Sequence, residues 1–202
     1  MPDTDSLSRK EKILRAATRL FAYKGFADSS VGELAQLSEV AEGTIFYHFG
    51  NKEKLFVAVL ANVRSTVIRE FESHIAAQEY PDGMSMMEGT VAFYLYLASL
   101  MEDAFLLLHR HYPYAMAQDN AVCREHLEAI YNCLADIFEE PIRRGLADGT
   151  MGGVAPRKAA LLIFTMVDGL VRFKTYNLYD AGSLVGELMR ACRKILGRED
   201  VS

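Results

Sequence analysis

Apolar residues recur at helical spacing along nearly the whole chain, and no stretch alternates with the two-residue period of a half-buried strand. Ile13, Ala17, Leu20 and Phe21 make the first stripe, opened by Ser8 with Glu11 three residues on and closed by Gly25. Residues 1–7, polar and without period, are expected to be disordered. Ser30 with Glu33 opens a second, short helix carrying Val31, Leu34 and Ala35. After a tight turn over 38–41, Ile45 and Phe49 share a face of a third short helix, leaving Glu42, Thr44, Tyr47 and His48 off it. Asn51 caps a long helix to about Gln78, with Leu55, Phe56, Val59, Val63, Val67, Phe71 and Ile75 inward.

Pro81-Asp82-Gly83 then reads as a turn, followed by a helix from Met84 to Met101 and a short apolar one through His109. His111-Tyr112-Pro113-Tyr114 is expected to break the pattern. A further long helix covers about Asn120 to Leu146, with Pro141 predicting a kink or an end. A glycine-rich loop, 149–153, leads to helices from Pro156 to Tyr176 and from Ser183 to Leu196. The pattern predicts an all-α chain of about nine helices. Two brief helices joined by a tight turn, the second showing polar and aromatic side chains, describe a helix-turn-helix.

The residues that carry this motif resemble a known family. Gly43-Thr44-Ile45-Phe46-Tyr47-His48-Phe49-Gly50-Asn51-Lys52-Glu53-Lys54-Leu55 is similar to the signature of the TetR (tetracycline-repressor-like) transcription regulators. Ile13-Leu14-x-Ala16-Ala17-x-x-Leu20-Phe21-x-x-x-Gly25-Phe26 matches that family's first helix, so the resemblance runs in register over residues 9–60. It implies an all-helical homodimer. Residues 1–50 would form the helix-turn-helix domain, joined by the long helix to a ligand-binding and dimerisation domain over 51–202. The implied partners are double-stranded operator DNA and a small-molecule effector. Two positions depart from the pattern: Glu39 stands at the usual turn glycine, and Ala41 where Ser or Thr caps the recognition helix.

The resemblance also implies DNA-facing residues. Glu42, Gly43 and Thr44 open the recognition helix, with Thr44 reaching a base edge or phosphate. Tyr47 and His48 fall where the family meets phosphates and thymine methyls, and Phe46 lacks the hydroxyl of the Tyr frequent at its position. Lys52 would neutralise a phosphate beside the next helix's N-terminus, while Ser29 and Ser30 offer donors to the other strand.

Farther on, Tyr94, Leu97, Met101, Phe105, His109, Tyr112, His126, Ile130 and Phe164 can line one cavity, greasy with a few polar handles, suited to an aromatic or acyl-type molecule. The same stripes also read as ordinary core. The helix from Pro156 is apolar nearly all round. Phe164, Val167 and Val171 serve its own core; Leu162, Met166, Gly169 and Phe173 need a second cover. The last helix, with Leu188 and Cys192, can supply it alone, or both helices can meet their copies across the two-fold axis that the resemblance implies.

Charge tempers the DNA reading. The net charge is −5, and residues 1–52 are neutral, with seven basic and seven acidic side chains. Arg9, Lys10, Lys12 and Arg15 nevertheless crowd the start of the first helix. Cys123, Cys133 and Cys192 read as reduced thiols of a cytoplasmic protein, and no apolar run approaches a membrane span. No catalytic motif, metal-ligand spacing or cofactor loop is present, so no enzyme, metal or cofactor is expected. Two alternatives stand beside a ligand-released repressor. One is a DNA-binding adaptor or architectural protein without an effector; the other is a helical small-molecule-binding protein or enzyme with a vestigial helix-turn-helix.

Overall fold

The structure, a computed structural model, describes residues 8–197, so the disorder expected of residues 1–7 lies outside it. In order come α1 (Arg9–Tyr23), α2 (Val31–Ser38), α3 (Glu42–Phe49), α4 (Lys52–Ala76), α5 (Gly83–Leu100), α6 (Glu102–Leu108), α7 (His111–Asp119), α8 (Ala121–Asp148) and α9 (Pro156–Thr175). A 3-10 turn, Ala181–Leu184, leads into α10 (Val185–Leu196). The class is all-α, with ten helices among the described residues rather than about nine. The additional one, α7, lies where a break was expected. Pro113 falls on its third residue, where a missing N–H has no intrahelical bond to lose. Pro141 likewise does not end α8, a helix of 28 residues that runs on to Asp148 at the loss of one ladder bond.

The chain divides into two compact units. The first holds the described residues up to Thr66 together with Asp103–Ala129. Its core is Ile13, Ala17 and Phe21 of α1, Leu34 of α2, Ile45 and Phe49 of α3, Leu55, Phe56 and Val59 of α4, and the buried run Phe105–Leu108. The rings of Phe21, Phe26 and Phe56 meet at 5.4, 5.5 and 5.7 Å. Tyr112 of α7 lies flat on Phe26, 3.9 Å away at 9°, and edge-on to Phe56 at 4.9 Å. Burial pushes the Tyr112 phenol up to about 12, so it stays neutral in this packing. Arg110 donates from Nε to the Ala22 carbonyl (2.8 Å) and from Nη2 to that of Tyr23 (3.1 Å). These carbonyls end α1, so one cation satisfies orphan acceptors and complements the helix dipole.

The second unit comprises Val67–Glu102 and the chain from Ile130 on. Its centre is Tyr94, fully buried, with its ring against Phe138 (5.5 Å) and Phe164 (5.9 Å). The Tyr94 hydroxyl donates to Asp168 Oδ1 at 2.8 Å, which lets a phenol sit in an apolar core. Ile163, Phe164, Val167, Leu170 and Val171 form the buried face of α9, and Leu188, Cys192 and Leu196 that of α10. Arg157 ties α9 to α8 through Asn132 (3.1 Å), Glu139 (3.2 Å) and Asp136. At the start of α5 the backbone presses against α8. A Cβ on Gly83 would lie 2.1 Å from the Gly145 nitrogen, and the Gly83 N–H donates to Asp148 Oδ2 at 2.7 Å.

That contact predicts opposite outcomes for two glycines. Gly83→Ala should destabilise the protein by about 1–3 kcal/mol, because backbone on backbone has nowhere to move. A Cβ on Gly186 in α10 meets nothing within 4 Å, so Gly186→Ala should be neutral or stabilising by up to about 1 kcal/mol. Urea denaturation of the two variants checks both signs.

Candidate nucleic-acid interface

Everything that could read DNA here converges on α3, which is eight residues long. Its inward side chains are Ile45 (3% exposed) and Phe49 (7%); Tyr47 is 85% exposed. Gly43, Phe46 and His48 are also exposed, and Thr44 is half-buried. A side chain at Gly43 would meet nothing, so that face is open to a partner's backbone. An open groove joins Gly43, Thr44, Tyr47 and His48 to Ser8, Arg9 and Lys10 at the start of α1. Arg9 and Lys10 form no ion pair among the described residues. The positive charge missing from the domain as a whole is thus concentrated beside α3.

The support beneath this face is built from caps and struts. Ser30 and Glu33 make a reciprocal box on α2: the Glu33 N–H donates to Ser30 Oγ (3.1 Å) and the Ser30 N–H to Glu33 Oε2 (3.0 Å). The Lys24 ammonium, followed by the Ser30 donors, holds the Glu33 carboxyl down at about 2. Glu39 ends α2 in the left-handed region (φ 55°, ψ 40°) without being a glycine, and Ala41 starts α3 with no side-chain cap.

Other candidates are engaged inside the unit. Glu42 folds back over α2, its Oε1 placed 3.0 Å from where a Cβ on Gly32 would stand. Ser29 is buried, and its hydroxyl donates to the Gly25 carbonyl. Lys52 Nζ donates to the carbonyls of Ser29 and Ala27 (3.4 Å) and lies 4.4 Å above the Phe26 ring; desolvation lowers its pKa. Lys52 therefore ties the start of α4 to the loop before α2.

The residues proposed for a ligand are distributed over both units. Tyr94, Leu97, Ile130 and Phe164 are buried and Met101 half-buried in the second. In the first, Phe105 and His109 are buried, Tyr112 packs on Phe26, and His126 is half-buried. The Nδ1 of His126 is buried without a hydrogen-bond partner among the described residues. On α9, Leu161 and Leu162 are exposed, and Met166, Gly169 and Phe173 are half-buried. Leu188 and Cys192 of α10 are covered by the chain itself. All three cysteines are free, and no described group of three or more His, Cys, Asp or Glu could hold a metal ion. Arg110 was not foreseen as a cap for α1, since only the fold brings it to residues 87 and 88 positions away.

A family model described as bacterial regulatory proteins, tetR family, matches residues 13–59, from inside α1 through the first two turns of α4. The transcriptional regulator TtgR of Pseudomonas putida is 24% identical over 189 residues, covering 89% of this chain and 85% of TtgR. Residues 13–59 thus match the TetR family, and the likeness to TtgR runs over most of the chain. The protein is a helix-turn-helix transcriptional regulator. Over 54 residues, 27% of this chain, it is 41% identical to the HTH-type transcriptional regulator QacR of Staphylococcus aureus, covering 29% of QacR. The TetR fold extends beyond the motif. The crystal structure of FadR from Bacillus subtilis in complex with stearoyl-CoA superposes with a TM-score of 0.72 at 21% identity, covering 90% of this chain and 96% of that one.

Two experiments follow from this geometry. Tyr47→Ala should leave unfolding stability within about 0.5 kcal/mol, yet cost about 1–3 kcal/mol of affinity for the operator, read by titrating labelled duplex. Glu39→Gly relieves a left-handed side chain and Ala41→Ser restores a cap. Thermal unfolding should show each variant more stable than the parent, by about 0.5–2 kcal/mol for the cap.

Proposed function

We propose that the protein is a homodimeric repressor that releases its operator when a small, largely apolar molecule binds. The observation that carries this is the outward face of α3: Tyr47, His48 and Gly43 exposed on a helix whose other side is buried. Residues 1–50 act as the DNA-binding domain and residues 51–202 as the ligand-binding and dimerisation domain. In the major groove, Thr44 and Tyr47 meet base edges and His48 meets phosphate. Arg9 and Lys10 follow the flanking backbone, where they add affinity without sequence preference. Lys52 and Ser30 act chiefly by holding the caps and loop that set the angle of α3.

Pairing of subunits through α9 is supported by its unburied stripe, with Leu162 59% exposed and Gly169 free of near neighbours. An apolar patch of this kind on a regulator's surface is the mark of an interface. For the effector, the support is the Tyr94–Asp168 pair set against Phe138 and Phe164 in the second unit, a polar handle among aromatic rings. FadR of Bacillus subtilis, with the same fold, holds stearoyl-CoA, which favours an acyl-type molecule. The helix α4 has residues in both units, so a change in its tilt is a route from effector to α3. No described helix is by itself long and apolar enough to cross a membrane, in keeping with action in the cytoplasm.

Leu162→Glu places two like charges in the two-fold contact and should give folded monomers in analytical ultracentrifugation. Operator affinity should collapse with them, since half-sites roughly 34–36 Å apart must be held together. A variant that remains dimeric moves the interface elsewhere. Calorimetric titration of the effector with and without operator tests the release itself. Coupling of about 1–3 kcal/mol should weaken each partner 5–150-fold in the presence of the other. Equal affinities in the two titrations rule out release by this effector.

A further inference from the structure

A cleft of about 190 Å³ opens in the second unit where the end of α5, the last turns of α9 and the 3-10 turn come together. Its apolar lining includes Leu95, Ala98, Leu170, Val171 and Val185. An apolar cavity of about 150 Å³ is enough to hold benzene, so a single ring or a branched chain of similar bulk fits here. A long acyl chain does not.

The polar side chains at this cleft are Glu102, just past α5, and Lys174 in the last turn of α9, with the hydroxyl residues Ser99 and Thr175. Neither Glu102 nor Lys174 forms an ion pair or side-chain hydrogen bond, with each other or with any described residue. An apolar pocket therefore carries one unpaired cation and one unpaired anion, with hydroxyls able to donate or accept beside them.

We propose that this cleft binds a small zwitterion, an α-amino acid whose apolar side chain is about the size of one ring. The side chain lies on the apolar lining, the carboxylate meets Lys174 and the ammonium meets Glu102. A simple carboxylic acid gains a charge-assisted bond from Lys174 alone, and a simple amine from Glu102 alone. Only a molecule bearing both charges engages both residues. This site stands independently of the repressor reading, and its binding is read without operator DNA.

Full-length protein is titrated by calorimetry with L-phenylalanine, L-leucine, 3-phenylpropionate and 2-phenylethylamine. At least one of the two amino acids should bind saturably at or below millimolar concentration, and both single-charge analogues at least about tenfold more weakly. Lys174→Met and Glu102→Gln should each weaken the amino acid by about tenfold or more, with thermal unfolding unchanged because both residues are exposed. Absence of saturable binding by either amino acid overturns the proposal. So does an analogue that binds as tightly as the amino acid, or a correctly folded variant of either residue that binds as well as the parent.

Discussion

Helices shorter than about 12–15 residues are marginal in water, and α3 has eight residues and no side-chain cap. Its shape is set by what lies beneath it. Ile45 and Phe49 bury into a core shared with Ile13, Phe21 and Leu34, and the rings of Phe21, Phe26 and Phe56 extend that core towards α4. Tyr112 closes the stack on Phe26, Lys52 lies over the same ring, and Arg110 fastens the end of α1. Recognition residues on a helix this short are only as well placed as that support. The polar side chains of Lys52, Ser29 and Ser30 are accordingly occupied in holding the frame.

Much of this was legible from local pattern. The capping boxes at Ser8 and Ser30 predicted helix starts that the structure places at the next residue, because a cap acts within a single turn. The same holds for Glu39 and Ala41, whose departures from the turn pattern appear as a left-handed side chain and a missing cap. Proline was misread at Pro113, and at Pro141 the helix runs on rather than ending. At the first turn of a helix its missing N–H is harmless, and deep in a 28-residue helix packing outweighs one lost bond. What local pattern could not show was contact across long sequence separation. Arg110 on the end of α1, Tyr94 on Asp168 and the close approach of Gly83 to Gly145 all depend on the fold.

Charge illustrates the same limit. A neutral N-terminal segment argues against DNA when its residues are summed, whereas the structure gathers Ser8, Arg9 and Lys10 against the outward face of α3. Phosphate contact depends on where cations stand, since screening confines exposed charges to about 8 Å at physiological salt. In the proposed reading, this local positive rim beside exposed polar and aromatic side chains is what meets phosphate in an acidic protein.

The central claim is that α3, presented twice by a dimer, reads a specific duplex. Selection from a pool of random double-stranded DNA with the full-length protein, at near-physiological salt, tests it most directly. The account predicts enrichment of a two-fold symmetric sequence with half-site centres one helical turn, or a whole number of turns, apart. Failure to enrich any sequence over the starting pool would contradict it.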